Sequence, residues 1–275
     1  MCVEYMDSDI LVIQFASCGL LVSGLLCIVS ARVVFPERIS IGEITRKNPV
    51  PWSPRNFGGT DGKSPIFGFM WSVIFLSQFG FAVASFIYAL RKHEVADAPS
   101  LFNQCACIAG ALVIASVWAP LFTTNKKWSF VWASVLLCTT SVLATVGAVV
   151  AKPFFVAEWY ILLGGVSATI FAGWTLVAAG LSIGIVTRVY NHGIGTRDQT
   201  DVTGTSSFFP LILSIATATL AIVFANPIFP LPLLVTLVFV PGITSDWRIW
   251  TAAIVCSLGI GFGSLTVLYT SSDPL

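Results

Sequence analysis

Three carboxylates and a set of regularly spaced aromatic rings are the groups in this chain whose types could do chemistry. Glu43, Asp61 and Asp246 each stand in a polar connection that borders an apolar stretch. A carboxyl buried in an apolar mouth has its pKa raised, because the charged form loses solvation, and it then suits a general acid. The rings begin with Phe67, Trp71, Phe75 and Phe79, four residues apart at each step. That spacing is expected to put all four on one face of a helix. Trp118 and Phe122 repeat the spacing further on. Flat, polarizable walls suit flat or polyene-like apolar molecules. Beside an acid, the same faces would stabilise the cation formed when an epoxide or alkene is protonated. The residues therefore leave two chemistries open: binding of an apolar small molecule, or acid-initiated cyclisation of an isoprenoid.

The elements that must position these groups are membrane spans. Apolar types make up 56% of the 275 residues and charged types 10%, against roughly 25% charged in a soluble domain. Mean hydropathy is +0.89. A span needs about 20 apolar residues to cross about 30 Å of hydrocarbon. Seven segments qualify: 10–34, 66–90, 102–122, 129–150, 159–187, 208–226 and 249–270. An eighth, 228–243, is short and holds Pro230, Pro232 and Pro241. The expectation is an all-α transmembrane bundle of seven or eight spans. A five-helix part over 1–190 is followed by two or three helices in 208–275, all within one membrane domain. The connection 36–65 carries Pro49, Pro51, Pro54, Gly58, Gly59 and Gly62, which forbid a continuous helix there. Glu4, Asp7 and Asp9 precede the first apolar run with no Lys or Arg, so that run is expected to be a retained span rather than a signal peptide.

Charge placement gives orientation and excludes several classes. With eight spans, eleven of the fourteen Lys and Arg residues fall on the side of the 36–65 loop. That loop is expected in the cytoplasm, and the N-terminus in the lumen or exterior. No Asp, Glu, Lys, Arg or His stands mid-span, which argues against an ion pump, a proton-coupled transporter or a retinal protein. The polar residues within spans are Gln14, Gln78, Asn103, Gln104 and Asn226, with hydroxyls, and interhelical hydrogen bonding is their expected role. A net charge of +1 with no basic patch gives no case for nucleic acid. The seven cysteines are an odd, scattered set rather than a disulfide framework. No metal or other cofactor is expected.

Four motifs, in order along the chain, carry a family resemblance. They are Pro49-Val50-Pro51-Trp52-Ser53-Pro54, Ser64-Pro65-Ile66-Phe67-Gly68-Phe69-Met70-Trp71, Trp118-Ala119-Pro120-Leu121-Phe122, and Ala172-Gly173-Trp174 through Ala179. Together they resemble the translocator protein family, also called tryptophan-rich sensory proteins, over about residues 10–190. The back part, with Asn226-Pro227 and Trp247 to Trp250, is similar to the family's longer eight-helix relatives. The sequence departs from the family pattern at Ala115, at Thr123 and at Gly180-Leu181-Ser182. The resemblance implies a five-helix cavity that binds tetrapyrroles or sterols under the first loop, with Trp52, Trp71, Trp118 and Trp174 at matching positions. With Phe67, Phe75 and Phe122 from the ring spacing, these tryptophans are the candidate ligand-binding residues.

Three classes of function follow. The first is a receptor or carrier for an isoprenoid, sterol or tetrapyrrole-like molecule. The second is a membrane-bound cyclase using Glu43, Asp61 or Asp246. The third is a structural subunit of a membrane complex. The expected partners are a hydrophobic small molecule and the bilayer of an endomembrane or plasma membrane. The spacings Gly180/Gly184 and Gly259/Gly263 leave a homo-oligomer open.

Overall fold

The computed structural model describes residues 8–32, 41–48, 65–91, 98–150 and 159–195, with a few single positions between 212 and 232. Among the described residues the chain is all helix. The elements are α1 (Ser8–Arg32), α2 (Ile41–Lys47), α3 (Pro65–Arg91), α4 (Ala98–Thr123), α5 (Lys127–Val150) and α6 (Trp159–His192). Five of these, all but α2, are long and apolar enough to cross a membrane. They correspond to the first five expected spans. Apart from those few positions, the expected spans in 208–275, and with them the total of seven or eight, lie outside the described residues, as do Trp52, Asp61 and Asp246.

Helix boundaries follow local chemistry. Pro65 opens α3 and Pro99 stands in the first turn of α4, where no amide hydrogen is needed. α4 passes into α5 through a turn in which Asn125 takes a φ of 55°, a left-handed conformation that Asn tolerates. The Ser129 hydroxyl accepts a hydrogen bond from the Lys126 amide at 3.0 Å, which caps α5. α6 stops at Gly193, whose φ of 86° lets its amide donate back to the Val189 carbonyl at 3.0 Å.

The five long helices close into a ring. α1 packs on α3 and α4, α4 on α5, α5 on α6, and α6 on α3. On α5 the buried positions Phe130, Ala133, Ser134, Leu137, Thr140, Ser141, Ala144, Gly147 and Ala148 recur with a seven-residue period, as in left-handed helix packing. Most are small, so backbones come close, and Ser134 and Ser182 share a 2.7 Å hydrogen bond between α5 and α6. α6 is buried on nearly every side, whereas α1 and α3 turn much of their surface outward.

That outward surface is apolar. It includes Phe15, Val22 and Leu25 on α1, Phe69, Leu76 and Leu90 on α3, and Trp132, Val135 and Val142 on α5. An apolar belt of this extent is unsuited to water, whereas lipid requires it. The fold is that of an integral membrane protein crossed by several helices.

Two buried clusters fill the interior. The larger one joins all five long helices around Ile74, Phe81, Ile108 and Phe171, with Ala144 and Ala148 from α5. Leu220, from the segment beyond α6, packs against it. The smaller cluster joins the end of α4, the start of α5 and the latter half of α6 around Trp118, Phe122, Phe130 and Ile185.

The helix α2 closes the end of that second cluster with Ile44, which is fully buried there. It lies in the 36–65 connection, ahead of the prolines that forbid longer helix. Glu43 and Lys47, four residues apart, form a 2.9 Å ion pair along it. The helix ends at Asn48 because Pro49 disfavours helical backbone in the residue before it. Asn48 is buried, donates from Nδ2 to the Ile44 carbonyl at 3.0 Å, and accepts from the Gly195 amide at 3.0 Å. One side chain thus ties the first connection to the end of α6.

Candidate functional site

Trp71 lies at the centre of the site, because it is the ring that touches both buried clusters. It projects from the second turn of α3 and stacks on Trp118 of α4, with centroids 6.5 Å apart and planes at 23°. Phe75, one turn along α3, stacks on it at 5.5 Å. Phe171 of α6 meets it edge-on at 6.2 Å and 63°. Trp118 packs on Phe122 at 5.7 Å, and Phe122 meets Phe130 of α5 edge-on at 5.2 Å. Offset and edge-on pairs at these separations are the favoured aromatic geometries. The result is one continuous ring system contributed by four helices.

Burial fixes which way the rings point. Trp118 is 4% exposed and Trp174 is 1% exposed, so both face the interior. Trp71 and Phe75 are half-buried. Phe79 is 59% exposed, which corrects the expectation of a single four-ring face. A helix turns 3.6 residues per revolution, so each step of four drifts by about 40°. The row is a slanting ridge: Phe75 stays at the edge of the interior, and Phe79 has rotated out to the lipid side. Phe67 lies in the first turn of α3, and its side chain is outside the described set. Phe171 and Phe130 were not among the expected site residues. Phe171 precedes Trp174 by three residues, a spacing that shares a helix face and was a usable signal.

Of the candidate acids, only Glu43 falls in the described residues. It lies on α2 with a side chain 37% exposed, paired with Lys47. This is the arrangement of a helix-surface ion pair.

The polar groups of the interior divide into two kinds. Most hydroxyls bond back to their own helix: Ser116 to Val113, Thr140 to Leu136, Thr169 to Gly165 and Thr175 to Phe171, all between 2.6 and 2.8 Å. Gln78 and Gln104 do not. They are 3% and 0% exposed, and neither amide atom of either residue has a hydrogen-bond partner. The interhelical bonding expected of them is therefore absent. Asn103 points outward instead, and Asn226 lies outside the described residues. The buried Ser17 and Ser85 hydroxyls, from α1 and α3, lie against the Cys105 thiol of α4 without reaching good hydrogen-bond geometry. The Trp118 indole Nε1 is likewise buried without a partner. A buried polar atom left unpaired costs about 1–3 kcal/mol, so each of these groups calls for a partner, a water or an atom of a bound molecule.

Gly164 of α6 sits against this polar region. A Cβ there would come within 2.5 Å of Phe81 Cε2 and 2.7 Å of Gln104 Oε1. Glycine is what lets the Phe81 ring and the Gln104 amide reach the α6 backbone.

No family model, curated protein or solved structure matches the chain.

Proposed function

We propose that this protein binds an apolar small molecule, of isoprenoid, sterol or tetrapyrrole-like class, against the aromatic system between α3, α4 and α6. The observation that carries the reading is the inward stack of Trp71 and Trp118 edged by Phe171. A membrane protein gains nothing from turning its largest rings away from lipid unless packing or a ligand uses them. The half-buried state of Trp71 and Phe75 keeps part of this surface accessible. The buried indole of Trp118 supplies a donor to an acceptor on the bound molecule.

The resemblance to the translocator family supports the same reading, since its motifs supply Trp71, Trp118 and Trp174. In this reading the bundle continues through 208–275 to seven or eight spans. The α2 end, where Arg46, Lys47, Lys126 and Lys127 collect, faces the cytoplasm.

The test is a titration of the purified protein in detergent with geranylgeraniol, cholesterol and protoporphyrin, followed by tryptophan fluorescence. Saturable quenching by one of them is expected, and Trp71→Ala should weaken it about tenfold, near 1.4 kcal/mol. Saturable binding that Trp71→Ala leaves unchanged would return the ring system to a packing role.

A further inference from the structure

We infer that Gln104, with Ser85, Ser17 and Gln78, forms a polar subsite inside the bundle that takes an uncharged hydrogen-bonding group, a hydroxyl or carbonyl, of an elongated ligand. The inference rests on the ligand reading above and narrows it to amphiphiles with a polar group remote from the part held by the tryptophans.

The argument begins from contrast. Other buried hydroxyls in the spans satisfy themselves on their own helix, as Ser116 and Thr175 do. Gln104 carries one acceptor and a two-hydrogen donor at full burial, and neither is used. Its Oε1 packs against the α6 backbone at Gly164, beside the Phe81 ring, without a hydrogen bond there. Ser85 of α3 and Ser17 of α1 converge on the neighbouring residue of α4, Cys105, and a soft thiol is the one group among the described residues that their hydroxyls approach. Gln78 stands about two turns from Ser85 along the same inner face of α3, with both amide atoms unpaired. Three helices, α1, α3 and α4, therefore supply neutral donors and acceptors at Ser17, Ser85 and Gln104, with Gln78 about 10 Å nearer the tryptophans along α3.

The chemistry selects the ligand class. No described charged residue joins the cluster, so a carboxylate or ammonium would be buried without a counter-charge. A hydroxyl or carbonyl has no such cost and matches amides and hydroxyls in both directions. Gln104 precedes Trp118 by fourteen residues on α4, which is about 21 Å of helix. The aromatic system and the polar group of the ligand are therefore separated by the length of a long isoprenoid chain, with Phe81 beside Gln104 at the polar end.

The experiment compares geranylgeraniol with the hydrocarbon of the same chain lacking the hydroxyl, on the full-length protein in one detergent. The wild type should bind the alcohol about tenfold more tightly than the variants do. Gln104→Leu and Ser85→Ala, separately, should reduce the preference for the alcohol to within about twofold while leaving the affinity for the hydrocarbon unchanged. Both variants should fold, because each removes unpaired polar atoms. Failure of both to fold would mean that the groups already have structural partners, and would overturn the subsite. An alcohol preference that neither substitution alters would mean that water pairs these groups, and would overturn it too, with the aromatic site left standing because both probes still bind. If neither probe binds at all, the ligand reading fails and the subsite falls with it.

Discussion

The sharpest quantitative consequence of the fold concerns one methyl group at Gly164. Alanine there would place a Cβ 2.5 Å from Phe81 Cε2, 2.6 Å from Phe81 Cζ and 2.7 Å from Gln104 Oε1. Two of these atoms belong to an aromatic ring that is fully buried and cannot swing away. Overpacking of a tight core costs about 1–3 kcal/mol. The better helix propensity of alanine returns about 0.8–1 kcal/mol, so Gly164→Ala should destabilise by up to about 2 kcal/mol.

Other glycines calibrate the reasoning. At Gly147 the new atom would meet Cys107 Cβ at 3.1 Å, a smaller strain, and a cost near zero to about 1 kcal/mol is expected. At Gly19 and Gly24 nothing lies within 4 Å, and alanine should be neutral or slightly stabilising. The assay is equilibrium unfolding in mixed micelles, read by tryptophan fluorescence. A second variant isolates the cause: Phe81→Leu added to Gly164→Ala should recover part of the loss, since it removes the colliding ring edge. If Gly164→Ala were as stable as Gly19→Ala, the close approach of α3, α4 and α6 described here would be wrong.

Three further outcomes follow. Asn48→Ala removes the bonds to Ile44 and Gly195, at about 1 kcal/mol each, so proteolysis should cut the first connection faster while the helical circular dichroism signal is kept. Ser134→Ala breaks the α5–α6 hydrogen bond and should cost about 0.6 kcal/mol in micelle unfolding, with Ser134→Ala/Ser182→Ala no worse than the single change. Glu43→Gln removes the pair with Lys47, and because both partners are more than a third exposed, the stability change should stay within about 0.5 kcal/mol at any salt concentration.

The membrane helices were legible because the signal for a span is a length of apolar chain, and α1, α3, α4, α5 and α6 each carry it. Their ends shifted by a few residues where local chemistry overrides hydropathy. α4 begins at Ala98 because Pro99 is welcome in a first turn, and α6 runs on to His192 because its last turns stay amphipathic until Gly193 stops them. α2 escaped notice because its seven residues, hemmed by Pro and Gly, are too few to show a period. Motifs and spacing named Trp71, Trp118 and Trp174 as ring positions, and the burial of Trp118 and Trp174 is what the structure adds. The outward turn of Phe79 follows from helix geometry alone, since steps of four residues drift by about 40° each. What no sequence pattern carried was the state of Gln78 and Gln104. A glutamine in a span reads the same whether a neighbouring helix pairs it or leaves it open, and only the placement of Gly164 and Phe81 decides.

The ring order also bears on biosynthesis. α6 is the common neighbour of α3 and α5, so a nascent chain ending before Trp159 leaves those two helices without the element that joins them. Until α6 leaves the ribosome and slides between them, fatty-acyl tails have free access to the rings and amides that it later encloses, and its own small residues have nothing to pack on. The five described crossings therefore close into a ring only when the last of them arrives.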